Sequence, residues 1–329
     1  MAFGDILGNS RAKRILRKAL QKGRVPNSLL FIGPEGVGKK ETALALAKAM
    51  NCHKGDDACE VCPSCRAINK GNFPDVMVIS PENSLHKIEH MRAMKHMAYL
   101  KPMVGKKRIF IVEDAEKMKD EAANSVLKIL EEPPVFTYII LITNNPYVIL
   151  PTIVSRCQKL NFSQILREDI EQELLARGYD GPRARIISSL VRGNLRQALT
   201  LEWEEVQALR KKAWQLFHAF LTGQGVSSFL KNYAFARRAF LEEEVGQVLE
   251  ILSSFCRDLV VMKEGGSLGL LLNPDFEQEI REMQNLLNLG QIMGFLVKID
   301  TALQALRRNL NVNLIVSSFF SGVMEQNHV

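Results

Sequence analysis

The stretch Gly33-Pro34-Glu35-Gly36-Val37-Gly38-Lys39-Lys40 narrows the folds open to this chain more than any other segment. An apolar run, Leu29-Leu30-Phe31-Ile32, comes just before it, and a helical pattern from Glu41 to Met50 follows. Strand, glycine loop and helix in that order are the setting of a phosphate site. Gly33, Gly36 and Gly38 let the backbone turn sharply, so that its N–H groups surround phosphate oxygens at a helix N-terminus. Lys39 is placed to reach the outer phosphates of a bound nucleotide. One position breaks the pattern. Where a Ser or Thr hydroxyl would hold magnesium stands Lys40, which has no acceptor and carries positive charge. The loop therefore predicts the fold while casting doubt on hydrolysis; a plain glycine turn without nucleotide is the alternative.

The rest of the chain supports this frame. Short β-branched runs at Leu29–Ile32, Val76–Ile79, Arg108–Val112, Tyr138–Thr143 and Lys159–Phe162 alternate with helical patterns. That alternation predicts a parallel, three-layer α/β domain over residues 1–162. From Ser163 onward strand signals vanish. Arg167–Arg177, Pro182–Arg192 and Leu195–Trp203 read as a small helical unit over 163–205, and a larger all-helical region fills 206–329, with breaks at Gly223-Gln224-Gly225 and Gly265-Gly266-Ser267.

The formal net charge is +7. Basic residues crowd at Arg11, Lys13, Arg14, Arg17, Lys18, Lys22 and Arg24, a spacing that reads better as a solvated helix face than as a nucleic-acid track. No apolar stretch approaches the ~18 residues of a membrane span. The opening Met1-Ala2-Phe3-Gly4-Asp5 lacks an export signal, so a cytoplasmic protein without membrane contact is expected.

Four of the six cysteines are clustered: Cys52, Cys59, Cys62 and Cys65, in a C-x6-C-x2-C-x2-C pattern. Thiolates so close in sequence can converge on one tetrahedral zinc ion, and Gly55, Asp56, Asp57 and Pro63 supply turn chemistry for the knuckle. Four sulfur ligands leave no open position, which makes the expected zinc structural rather than catalytic. His53 is a spare ligand; free thiols, a redox pair and an iron–sulfur cluster are the alternatives.

The run Ile109-Phe110-Ile111-Val112 ends in Glu113-Asp114. In nucleotide hydrolases an acid at such a strand end supports magnesium and the next orients the attacking water. Here the usual Asp-then-Glu order is reversed, which displaces each carboxylate by about an ångström, an error able to cost ~10²-fold in rate; the same pair would also suit the start of a helix. Thr143 and Asn144 end a neighbouring strand, where a polar group senses a γ-phosphate or simply begins the Asn-Asn-Pro turn. Arg156 closes a helix begun near Pro151, and Arg196 sits at the start of another, a poor place for a cation on dipole grounds.

Taken in order, these pieces resemble the AAA+ clamp-loader family of bacterial replication. The matching segments are Phe3-Gly4-Asp5-Ile6-Leu7-Gly8, the phosphate loop, the four-Cys insertion, the acidic strand end, Leu127-Lys128-Ile129-Leu130-Glu131-Glu132-Pro133-Pro134, Ser155-Arg156-Cys157 and Gly193-Asn194-Leu195-Arg196, with Asn309, Asn311 and Leu314 near the end. The resemblance implies an ATPase-like domain, a helical lid and a helical collar that joins subunits in a five-membered ring. It further implies that ATP is used to load a sliding clamp onto DNA, with other loader subunits, the clamp and primer–template DNA as partners. In such rings an arginine finger is offered to the neighbour's nucleotide. Arg156 matches that finger, and Arg196 the lid arginine that senses nucleotide in its own chain. Lys40, Glu113 and Asp114 depart from the hydrolysing members, so a weak or absent ATPase that completes a neighbour's site is expected. An ATP-hydrolysing loader subunit, and a zinc-dependent DNA-binding protein with a vestigial loop, are the competing readings.

Overall fold

A computed structural model describes residues 1–54, 57–82, 85–222, 242–307 and 310–326. Its contacts divide the chain into two compact units, Met1–Ile170 with Gly193–Gln197, and Glu171–Arg192 with Ala198–Val329.

The first unit is built on five parallel strands, β1 (Ser28–Ile32), β2 (Val76–Ile79), β3 (Arg108–Val112), β4 (Thr137–Thr143) and β5 (Gln158–Asn161), in the order β2-β3-β4-β1-β5. The three central strands are apolar on both faces because helices cover both. Leu30, Phe110, Val112, Ile139 and Leu141 pack against helices α4 (Ile88–Ala98), α5 (Asp120–Glu131) and α6 (Pro151–Arg156) through Met91, Met94, Val126, Ile129 and Ile153. The opposite face meets α2 (Lys39–Asn51), which packs in turn on α1 (Ser10–Gln21). Each fully buried aliphatic side chain contributes ~1.5–3 kcal/mol of transfer free energy, so this double-sided sheet is the rigid element on which the loops are mounted. Of the basic cluster, only Ala12 and Leu16 beside it turn inward, and Arg11, Arg14, Arg17 and Lys18 lie on the exposed face of α1.

The register decides where a site can form. Ile32 lies beside Thr143, and Val112 beside Leu141. The carboxyl ends of β1, β3 and β4 therefore open side by side, and β1 is where the order of connection reverses. Ligands of open α/β sheets bind at such a crevice. The short helix α3 (Pro63–Asn69) carries the end of the cysteine insertion between α2 and β2.

Two buried ion-paired anchors hold the far end of the sheet. Asp75, fully buried, accepts from the N–H groups of Met103, Val104 and Gly105 at 2.8–2.9 Å and from Arg108 at 2.7 Å. These bonds hold its carboxyl below the usual range even though burial opposes them. Lys48, 2% exposed, donates to the Met1 carbonyl, Glu60 and Asn69, tying α2 to the chain start and to the cysteine insertion.

The second unit is all-helical among the described residues. It contains α8 (Gly181–Leu190), α10 (Trp203–Thr222), α11 (Glu242–Lys263), α12 (Glu277–Met283), α13 (Leu289–Arg307) and α14 (Val312–Gln326), with α7 (Arg167–Ala176) entering it and α9 (Leu195–Thr200) leading to α10. An aromatic core of Trp214, Phe217, Phe255, Phe276, Phe295 and Phe319 joins these helices. Arg210 is buried beneath it, bidentate to Asp275 at 2.7 and 2.8 Å. One helix differs from the sequence reading: Leu195–Trp203 is not continuous, for α9 ends at Thr200 and Trp203 begins α10. Glu204 and Glu205 follow Trp203 in that first turn, where the dipole favours acids. The break at Gly265-Gly266 is present, with α11 ending at Lys263. Gly223-Gln224-Gly225 and Asn309 lie outside the described residues.

Candidate functional site

The phosphate loop leaves β1 at Ile32 and enters α2 at Lys39. Gly33 is pinned at the carboxyl end of the sheet by donating its N–H to the Thr143 carbonyl at 3.2 Å. Gly38 caps α2 with φ near 89°, a left-handed conformation costly for any side chain. Gly36 is also left-handed, and the amide of Asn194 fills the space where its Cβ would stand. Leu195 donates its N–H to the Gly36 carbonyl at 3.1 Å, so the Gly193–Gln197 segment is clasped to the loop. Arg196 lies 3.5 Å from Glu41 in the first turn of α2.

Lys39 is 6% exposed. Its ammonium donates to the carbonyls of Gly33 and Pro34 and to Asn144 Oδ1 at 2.8 Å. Burial pushes it down to about 8, although Glu116, Glu35, Asp114 and Glu41 surround it. Asn144 thus touches the loop lysine directly. Thr143 is buried and its hydroxyl accepts the Asn145 N–H, shaping the turn.

Both members of the acidic pair face lysines. Glu113 Oε2 takes the Lys40 ammonium at 2.9 Å and the Ser80 hydroxyl at 2.6 Å. Asp114 takes Lys117 at 2.9 Å from a left-handed backbone (φ 47°). The turn that follows, Ala115–Lys117, is a single 3-10 turn, too short to offer the pair a helix dipole. Magnesium wants oxygen ligands at about 2.0–2.1 Å. Here the residue that should supply a hydroxyl supplies an ammonium instead, bonded to the very carboxylate that should support the metal. These side chains do not fit a magnesium ion.

The cysteine cluster fits a metal well. The four sulfurs of Cys52, Cys59, Cys62 and Cys65 all lie within 4.8 Å of one another. Sulfurs around a tetrahedral ion at 2.3 Å would sit about 3.8 Å apart, so only a small contraction is needed. Backbone N–H groups already point at sulfur, among them Lys54 to Cys52, Cys62 to Cys59 and Cys65 to Cys62, at 3.3–3.4 Å. Bonds from Val61 and Cys62 pull the Cys59 thiol down to about 6, whereas burial pushes Cys65 up to about 12. Cys157 and Cys256 are buried elsewhere. The knuckle is fastened from outside by Glu60 on Lys48 and the chain-start ammonium, and by Asp57 on Arg17.

Arg156, at the end of α6, pairs with Glu131 at 2.5 Å and donates to the Thr152 carbonyl. It stays about one-third exposed, on the rim of the unit. Sequence reasoning missed Ser80, Glu116, Lys117 and Asn194; Glu131 lies within the quoted Leu-Lys-x-Leu-Glu-Glu-Pro-Pro run and Asn194 within Gly-Asn-Leu-Arg, but no spacing rule links either to its partner.

Known proteins resemble this chain. The profile of the family described as "DNA polymerase III, delta subunit" matches residues 8–166. The chain is similar to clamp-loader subunits of bacterial DNA polymerase III. It is similar, at 29% identity, to DNA polymerase III subunit delta' of Bacillus subtilis over 92% of each chain. The tau subunit of the same organism is 31% identical over 60% of this chain, which spans only 37% of the tau length. The likeness to delta' therefore runs the length of the chain, and that to tau does not. A solved gamma subunit-related protein of Thermotoga maritima aligns over 95% of this chain and 98% of its own, at 19% identity and a TM-score of 0.44, too loose a likeness to carry an argument. No helix among the described residues is long and apolar enough to cross a membrane.

Proposed function

We propose that this chain is the delta'-type member of a clamp loader, a cytoplasmic subunit that joins gamma/tau- and delta-type subunits in a five-membered ring and helps place the sliding clamp on primer–template DNA. It contributes little or no ATP hydrolysis of its own and offers Arg156 to the nucleotide of a neighbour. The observation that carries this reading is the contrast between two lysine-neutralised carboxylates, Glu113 and Asp114, and an arginine held at the rim.

The roles follow from the contacts. Glu113 bonded to Lys40 is poorly placed to support a metal, and Asp114 bonded to Lys117 is poorly placed to orient water. Arg156 keeps a planar, permanently charged fork whose partner, Glu131, is itself about half exposed and releases it at small cost. Gly33, Gly36, Gly38, Lys39, Thr143, Asn144 and Arg196 form the remnant nucleotide cradle. Cys52, Cys59, Cys62 and Cys65 hold a structural zinc, whose chemistry is to cross-link the insertion rather than to activate water. By role we divide the chain into the AAA+ domain 1–162, a lid 163–205 and a collar 206–329.

The test is co-purification with gamma/tau- and delta-type subunits, then ATP turnover with and without clamp and primed DNA. A stable complex whose turnover needs this chain supports the proposal. Brisk turnover by the isolated chain, above ~1 s⁻¹, would favour a loader ATPase instead. Tight, zinc-dependent DNA binding by the isolated chain with a steep salt dependence would favour the DNA-binding reading.

A further inference from the structure

We propose that Lys40 is a resident cation in place of magnesium, so that the Gly33–Lys40 loop takes the polyphosphate chain of a nucleotide in its metal-free form. This goes beyond the role of the subunit in a ring: it concerns the loop alone, does not involve Arg156, and stands or falls separately from the finger.

The starting point is the mismatch with magnesium. Lys40 follows Lys39 at the head of a 13-residue helix, on the side that faces β3. Its ammonium is fixed there by Glu113 Oε2 at 2.9 Å, and that oxygen is fixed in turn by the Ser80 hydroxyl at 2.6 Å. His86, buried, donates from Nε2 to the Glu113 carbonyl at 2.7 Å and so steadies the backbone that carries the carboxylate. A divalent ion at the same oxygen would sit against a fixed positive charge. The parts that recognise phosphate are nevertheless retained: left-handed glycines at 36 and 38, the head of α2, and Lys39 within reach of Asn144. Lys40 adds a second cation at the position from which a metal would otherwise contact the outer phosphates.

In a metal-dependent loop one lysine and a divalent ion face the phosphates. Here the two cations at the loop are lysines, and Lys40 is paired with Glu113. Such a site favours the free polyphosphate anion over its magnesium complex, because the complex brings a third cation toward Lys40. Exchange without turnover is the consequence, since neither the metal nor a water-orienting carboxylate is on hand to advance hydrolysis.

The experiment uses the full chain with a fluorescent ADP or ATP analogue and with inorganic pyrophosphate, titrated once in EDTA and once in excess magnesium. Binding in EDTA should be as tight as in magnesium or tighter. Lys40→Ala should weaken EDTA binding about ten- to a hundredfold, as expected for a lost charge-assisted bond, whereas Lys40→Arg should retain it. Lys40→Thr should make binding tighten with magnesium by about tenfold. Amide exchange across β1 and α2 reports whether each variant keeps its fold. Pyrophosphate competing fully with the analogue places the ligand at the loop; failure to compete overturns the assignment. Binding that requires magnesium in the wild type, or no binding in either medium, overturns it as well.

Discussion

Replacing Lys39 by Met should stabilise the first unit, and the gain should fade as pH rises. Lys39 is 6% exposed, and burial takes its ammonium from 10.5 down to about 8. A drop of that size corresponds to about 3 kcal/mol of cost to keep the charge in the folded state. The sign follows from proton counting. Below about pH 8 both folded and unfolded chains hold the proton, and the full cost is present. Between about pH 8 and 10.5 the unfolded chain binds more protons than the folded one, so wild-type stability rises with pH. Above that window both states are neutral and the cost is gone. Met matches the length of the stem and carries no charge. It forfeits the bonds to the Gly33 and Pro34 carbonyls and to Asn144 Oδ1, but those acceptors lie at partly exposed loops and can turn to water. A net gain of about 1–2 kcal/mol near neutral pH remains. Because the chain has two units, the measurement is amide exchange in β1 and α2 rather than a single melting curve. A Met variant that is less stable at neutral pH, with the pH slope of the wild type, would refute the reasoning. An ammonium kept buried at such a cost is understandable if an anion visits it.

Other predictions are more local. Cys59→Ser should lower bound zinc and destabilise the insertion by a few kcal/mol, of order 2–4, because a hydroxyl replaces one of the four clustered thiolates; unchanged metal content and unchanged melting would count against the four-sulfur site. Asp75→Asn keeps the shape but strands Arg108 in the interior, and should cost about 3–5 kcal/mol, read as early exchange at β2 and β3; a loss under ~1 kcal/mol would mean the pair is dispensable.

Much of the fold was legible because it is written locally. All five strand runs are present, within a residue or two at their ends, since β-branched stretches bounded by turns need no distant partner to be recognised. The cysteine cluster was legible for the same reason: four thiols within a short segment have few ways to be far apart. What escaped was set by contacts across long stretches of chain. Lys40 and Glu113 stand far apart in sequence, and only the β2-β3-β4-β1-β5 order brings the ends of β1 and β3 near enough to pair them. The reversal of the acidic pair gave warning of displaced carboxylates, but not that each would find a lysine. Nothing local marks Lys48 in its alanine-rich helix, and its buried ammonium is satisfied by Glu60 and Asn69 from the insertion. The break between α9 and α10 was hidden because Leu201-Glu202 lacks glycine or proline punctuation.

The contrast between a neutralised cradle and an offered guanidinium is tested most directly by ATP turnover of the reconstituted ring carrying Arg156→Ala. Arg156 and Glu131 are both substantially exposed, so their loss should cost the subunit under ~1 kcal/mol and leave assembly intact. Turnover should nevertheless fall about 10³-fold or more, as for other removed arginine fingers. An assembled ring that hydrolyses ATP at the wild-type rate would contradict the account.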